Sequence, residues 1–208
     1  MPRPPLPPDR DELPESDRPA YDQIVERNTL KFGGTLPPYH AALLNSPPFG
    51  AALNELGRLA RRAGERAGSF SHAEREFVDQ VLSLDWGTNV VQRLHLPDAL
   101  AVGVRPEAIA ALRGRREQEL TADERELAGY IRAVANGTVT DAAYAAIEQR
   151  LGRRGAVEYT IFIAFLMMTI RLFQAFGLPD PSDEEIDALL HELRTGAREL
   201  PDPSVRFG

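Results

Sequence analysis

Three helix-start signatures punctuate this chain: Ser71-His72-Ala73-Glu74, Thr121-Ala122-Asp123-Glu124 and Ser182-Asp183-Glu184-Glu185. In such a box the hydroxyl accepts a bond from the third helical amide while the carboxylate reaches back to the cap's own amide, so two orphan donors are satisfied together. Pro106 suits a first helical position, and Gly103, Gly137 and Gly177 suit helix ends. Between these marks apolar residues recur at helical spacing, as at Leu53, Leu56, Leu59 and Ala60, and no β-type alternation competes. The pattern predicts an all-α chain. Helices are expected over 20–28, 38–45, 49–66, 72–84, 87–102, 106–113, 122–135, 140–151, 155–176 and 183–196, with breaks at Gly33-Gly34, Pro37-Pro38 and Pro47-Pro48.

This organises the sequence as one helical domain over 20–196 with two appendages. Residues 1–19 hold seven prolines among alternating charges and predict an extended, polyproline-like arm; 197–208 read as a C-terminal tail. With 208 residues, 43% hydrophobic and 26% charged, the chain can bury a core of its own. A net charge of −7 argues against nucleic acid as partner, since phosphate neutralisation needs a basic face. The arginine clusters at 58–66 and 113–116 have acidic neighbours and read as solvated helix faces. Ile161–Met168 is an unbroken apolar run, but Arg171 and Gln174 follow it closely. A core or subunit-contact helix is expected there, and no membrane span. With no basic and apolar leader pattern at the start, the cytoplasm is the expected location.

Zero cysteines exclude disulfides, thiolate ligands and thiol nucleophiles. No H-E-x-x-H, no E-x-x-H pair and no His pair four residues apart occurs, so neither a metal site nor any cofactor is expected. There is no phosphate-binding glycine loop and no nucleophile elbow. Of the four histidines, His72 and His191 read as surface residues and His40 as a packing residue near a turn. His95 differs. With Thr88, Val91, Gln92, Ala99 and Val102 it lies on a largely apolar stripe of one helix, predicted to face inward.

Glu76 precedes His95 by nineteen positions. The succession E-R-E-Φ at Glu74–Phe77, a helix carrying His95, then Gly103-Val104-Arg105-Pro106-Glu107-Ala108-Ile109 resembles the carboxymuconolactone decarboxylase and alkylhydroperoxidase D-like superfamily. The flanks agree: Leu43–Pro48 is similar to the approach segment, and 120–179 to the second half, with a buried V-E-Y-T helix ending in A-F-G-L-P. The resemblance implies an alkylhydroperoxidase D-like helical bundle that assembles as a homo-oligomer, a trimer or hexamer. It also implies that the thiol-peroxidase branch is the wrong one, because its two cysteine positions hold Thr88 and Val91. In the cysteine-free branches the glutamate and histidine remain, and Glu76 and His95 match them as the catalytic residues. Trp86, Thr88 and Asn89 are then the expected substrate contacts. The second E-R-E-Φ, at Glu124–Leu127, has Ala145 at the corresponding downstream place, so the pairing with a histidine belongs to the first alone.

Such residues suit a cofactor-independent lyase or isomerase acting on a small carboxylated or lactone-like molecule. Loss of carbon dioxide, or movement of a double bond, passes through an enolate-like state that a histidine can protonate near neutral pH while a carboxylate fixes its tautomer. A different expectation fits the same motifs: a non-catalytic small-molecule-binding or scaffold relative that kept the fold, suggested by the missing cysteines and by Asn89-Val90-Val91-Gln92 before the histidine; Pro97 after it is expected to kink or restart the helix. Separation of Glu76 from His95 by more than about 5 Å, with the glutamate facing solvent, would favour that second expectation.

Overall fold

The computed structural model describes Arg3, residues 7–31 and residues 34–206, and all regular structure among them is helical. Gly33, and much of the proline-rich arm's first half, lie outside the described residues. The helices are α1 (Arg18–Lys31), α2 (Pro38–Leu43), α3 (Pro47–Arg61), α4 (His72–Asp85), α5 (Asn89–Ala101), α6 (Pro106–Arg113), α7 (Ala122–Asn136), α8 (Asp141–Phe176), α9 (Asp183–Thr195) and α10 (Pro203–Arg206). All three predicted capping boxes form. In each, the hydroxyl accepts the third amide at 3.2 Å and the glutamate accepts the cap amide at 2.8 Å.

Several boundaries differ from expectation for tertiary reasons. The helix expected to reach Arg66 stops at Arg61 and gives way to a 3-10 turn at Ala63–Glu65. Gly64 there passes so close to His72 that an added Cβ would lie 2.7 Å from the ring, a packing constraint that local propensity does not encode. Pro97 does not restart the helix: α5 runs as one element through it. The carbonyl that Pro97 cannot satisfy belongs to Arg93, on the exposed side of the helix where water can serve it. The two helices expected over 140–151 and 155–176 meet in α8 at a kink, with Gly152 at φ 74° and ψ 166°. A 3-10 turn at Arg10–Glu12 interrupts the predicted arm, and α10 forms within the predicted tail.

The chain divides into two compact units. The first comprises residues 1–59 and 171–179. Its core gathers Ile24, Leu43 and Leu44, and Gly50 is held where a Cβ would meet Ile24 at 2.7 Å. Arg3 closes the end of α8: its amide donates to Phe176 O and its guanidinium to Gln174 O and Ala175 O, carbonyls of the last turn, where a cation is favoured.

The second unit comprises residues 60–170 and 180–208 and is organised around α4. Every residue from Arg75 to Ser83 is buried, so this helix has no solvent face along that stretch. Helices α5, α6 and α7 pack against it, and α9 packs on α5. From α8, Tyr159 packs against Phe70 and Tyr130 and sends its hydroxyl to Glu74 O.

Candidate active site: a buried carboxylate–histidine cluster

A helix buried on all sides must place any polar residue it carries inside the protein. On α4 those residues are Arg75, Glu76, Asp79, Gln80 and Ser83; the last four, at helical positions i, i+3, i+4 and i+7, fall within an arc of about 100°. The arc includes the residues that meet His95 on α5. His95 Nδ1 lies 3.1 Å from Glu76 Oε2 and 3.8 Å from Asp79 Oδ2. The Glu76 side chain is fully buried. Its second oxygen, Oε1, is bonded by the Arg75 guanidinium, which is also buried and donates to Arg61 O.

The Glu76 carboxylate thus accepts from both sides. Bonded to it, Nδ1 of His95 is the donor nitrogen, which leaves Nε2 as the free nitrogen of the neutral ring. Nε2 makes no hydrogen bond among the described residues, and 20% of the side chain is open to solvent. The ring therefore has one nitrogen held by Glu76 and one left without a bond among the described residues.

No protein-family model, curated protein or solved structure matches the chain. The resemblance to the decarboxylase-like superfamily accordingly stands on its motifs, and the chemistry on the geometry of the cluster.

Electrostatics sets the members apart. Burial by itself would push the Glu76 carboxyl up, but His95 and Arg75 outweigh it and hold it at about 2. Burial also pushes Asp79 up, the Glu76 charge adds to it, and His95, Arg75 and Arg61 compensate only in part, leaving it at about 7. For His95 burial works against the imidazolium, yet Asp79 and Glu76 reverse the balance and raise it. Pairs of titratable groups driven apart in this way are the usual mark of assigned acid and base roles.

Glu76, Asp79 and His95 also bring three donor atoms within 4.8 Å of one another, although the sequence shows no metal-ligand spacing. The surroundings disfavour a cation. Arg75 already occupies one carboxylate, and Arg61 acts on the other, so positive charge stands where a metal would add more.

The expected substrate contacts are placed differently. Trp86 caps the end of α4 and Thr88 precedes α5, its hydroxyl 3.5 Å from Asp180. Asn89 lines a groove of about 630 Å³ together with Ser83, Arg113, Arg115, Asp183 and Asp187. Neither Glu76 nor His95 lines that groove. The Asn89 amide is engaged by Pro181 O and Asp183 Oδ1.

Arg75, Asp79 and Arg61 were not among the residues expected from sequence. A signal for Asp79 was present: four polar residues at helical spacing inside an apolar helix, Glu76-x-x-Asp79-Gln80-x-x-Ser83, read as a buried polar stripe once the remaining faces are also apolar. Nothing comparable marks Arg75 or Arg61, which resemble the many surface arginines of this chain.

Proposed function

We propose that this chain is a carboxymuconolactone decarboxylase-like, cofactor-independent lyase or isomerase acting on a small carboxylated or lactone-like molecule. The observation that supports this reading is the 3.1 Å contact between a fully buried carboxylate and a histidine whose other nitrogen is free. Glu76 fixes the ring and stabilises the imidazolium; Nε2 of His95 takes or delivers the proton on an enolate-like intermediate. Val91 and Ala99, buried on the same face of α5 as His95, keep its surroundings apolar and strengthen those interactions. Assembly as a trimer or hexamer, a small-molecule partner and a cytoplasmic location belong to the same reading.

Exchange of the α-proton for deuterium in carboxylated γ-lactones and β,γ-unsaturated acids, followed by NMR with carbon dioxide release measured in parallel, tests it. Glu76→Gln and His95→Ala are each expected to slow exchange by about 10²–10⁴-fold. Removing one partner of a buried ion pair costs roughly 3–5 kcal/mol, because the other is left uncompensated, so thermal melts must accompany the Glu76 variant. Wild-type rates in both folded variants would sink the proposal.

A further inference from the structure

Asp79 is the buried group that the Glu76–His95 pair leaves unexplained. A carboxyl removed from water must be paired, multiply hydrogen-bonded or protonated. Asp79 is 2% exposed, and its Oδ2 atom has no hydrogen-bond partner. The nearest basic nitrogen is His95 Nδ1, at 3.8 Å, beyond hydrogen-bonding range and already given to Glu76. The other groups acting on the cluster are Glu76 and Arg75 from α4 itself, Arg61 from the end of α3 and Tyr159 from α8; Asp98, on α5, acts on Arg61. Counting charges, Arg75 answers Glu76, and Arg61 has Asp98 as well as Asp79 within its influence. What is left is one carboxyl and one imidazole in low dielectric. A neutral acid beside a neutral ring, or a carboxylate beside an imidazolium, carries the same number of protons and the same net charge.

We propose that Asp79 and His95 share one proton between them, making Asp79 a positioning residue that sets the charge state of His95. With the shared proton on Asp79 the ring is neutral and Nε2 can take a proton from substrate; the imidazolium so formed is balanced by the enolate-like anion and hands that proton back. With the shared proton on His95 the imidazolium itself is the donor and the Asp79 carboxylate is its counter-ion. The pair carries the same net charge in either resting form. This deepens the acid–base reading and rests on it only for the direction of proton flow. Such coupling makes the two groups titrate as a unit, with macroscopic steps that belong to the pair.

The test is long-range ¹H–¹⁵N NMR of the imidazoles in the full chain, titrated with pH, with His95 assigned through His95→Gln. The wild type is expected to show two steps at the His95 nitrogens. In Asp79→Asn, which mimics the neutral acid, one step disappears and the remaining midpoint falls by about one pH unit or more. A His95 titration identical in both proteins overturns the proposal. A wild-type measurement guards against a variant that does not fold: the infrared carbonyl band of a protonated, buried carboxyl should be present at about pH 6 and lost on raising the pH. Its absence overturns the proposal as well. So does a visible Co²⁺ absorption band that the wild type gains on titration and Asp79→Asn does not, because Asp79 would then be a cation ligand. If deuterium exchange is found, Asp79→Asn should shift the pH profile to lower pH and retain activity at its new optimum, whereas a purely structural role would depress activity at every pH. Exchange that needs Glu76 and His95 but ignores Asp79 refutes this inference alone; coupled titration without any exchange refutes the enzymatic reading alone.

Discussion

At the scale of single residues, two carboxyls one turn apart on α4 answer to different neighbours. Glu76, bonded from both sides, ionises at about 2 against an ordinary 4.5. The unfolded chain therefore binds more protons than the native one in that range, and stability is lost as pH falls from about 4.5 toward 2. Asp79 has the opposite sign. Held at about 7 against 3.8, it keeps a proton that the unfolded chain releases, so its contribution declines as pH rises from about 4 to 7. His95, raised above 6.5, stabilises the native state below that value and loses the effect as pH rises through its folded pKa. The chain should then be most stable on the acidic side of neutrality. Urea denaturation at pH 5 and pH 7.5 checks this: the wild-type midpoint is expected to fall with pH, and Asp79→Asn to narrow the difference. A wild-type midpoint that rises between the two would contradict it.

At the scale of elements, what is encoded locally was legible and what is encoded by packing was not. Ser71, Thr121 and Ser182 specify their helix starts through bonds made within four residues, and each start was read correctly. Each cap contributes only about 1 kcal/mol, enough to place an end but not to decide where a helix stops when a neighbour intrudes. Hence the misread end of α3, where the approach of Gly64 to His72 prevails. The apolar run at Ile161–Met168 was expected on a helix buried in the core or at a subunit contact, and on the single chain part of it is open. Val157, Ile161 and Met168 are 46%, 50% and 39% exposed, and with Ala164 they form an open ridge at i, i+4, i+7 and i+11. By length and composition α8 could cross a membrane, a property it shares with core helices of soluble proteins. The homo-oligomer expected from the resemblance would cover this ridge. In sedimentation, Ile161→Lys should shift the chain toward monomer without loss of helicity. A wild type that stays monomeric over the micromolar range rules the ridge out as a subunit contact.

At the scale of the whole molecule, fold and site were legible to different depths. The all-α architecture followed from period and caps, which accumulate over many residues. The site was legible only where two residues stood at a telling separation, Glu76 and His95, and not where burial itself creates the chemistry. Arg75 looks like a surface charge in the sequence, and Asp79 is marked only by the polar stripe it shares; both become unusual because α5, α6 and α7 pack around α4. The complete enclosure of that helix has a further consequence. Amide protons in a helix with an open face exchange with solvent through local fraying, whereas those from Arg75 to Ser83 have no face on which to fray and are released only when the surrounding unit opens. In deuterium labelling followed by mass spectrometry, the slowest peptide of the second unit should therefore be the one carrying Glu76 and Asp79. Faster exchange there than in α7 would show that α4 opens by itself.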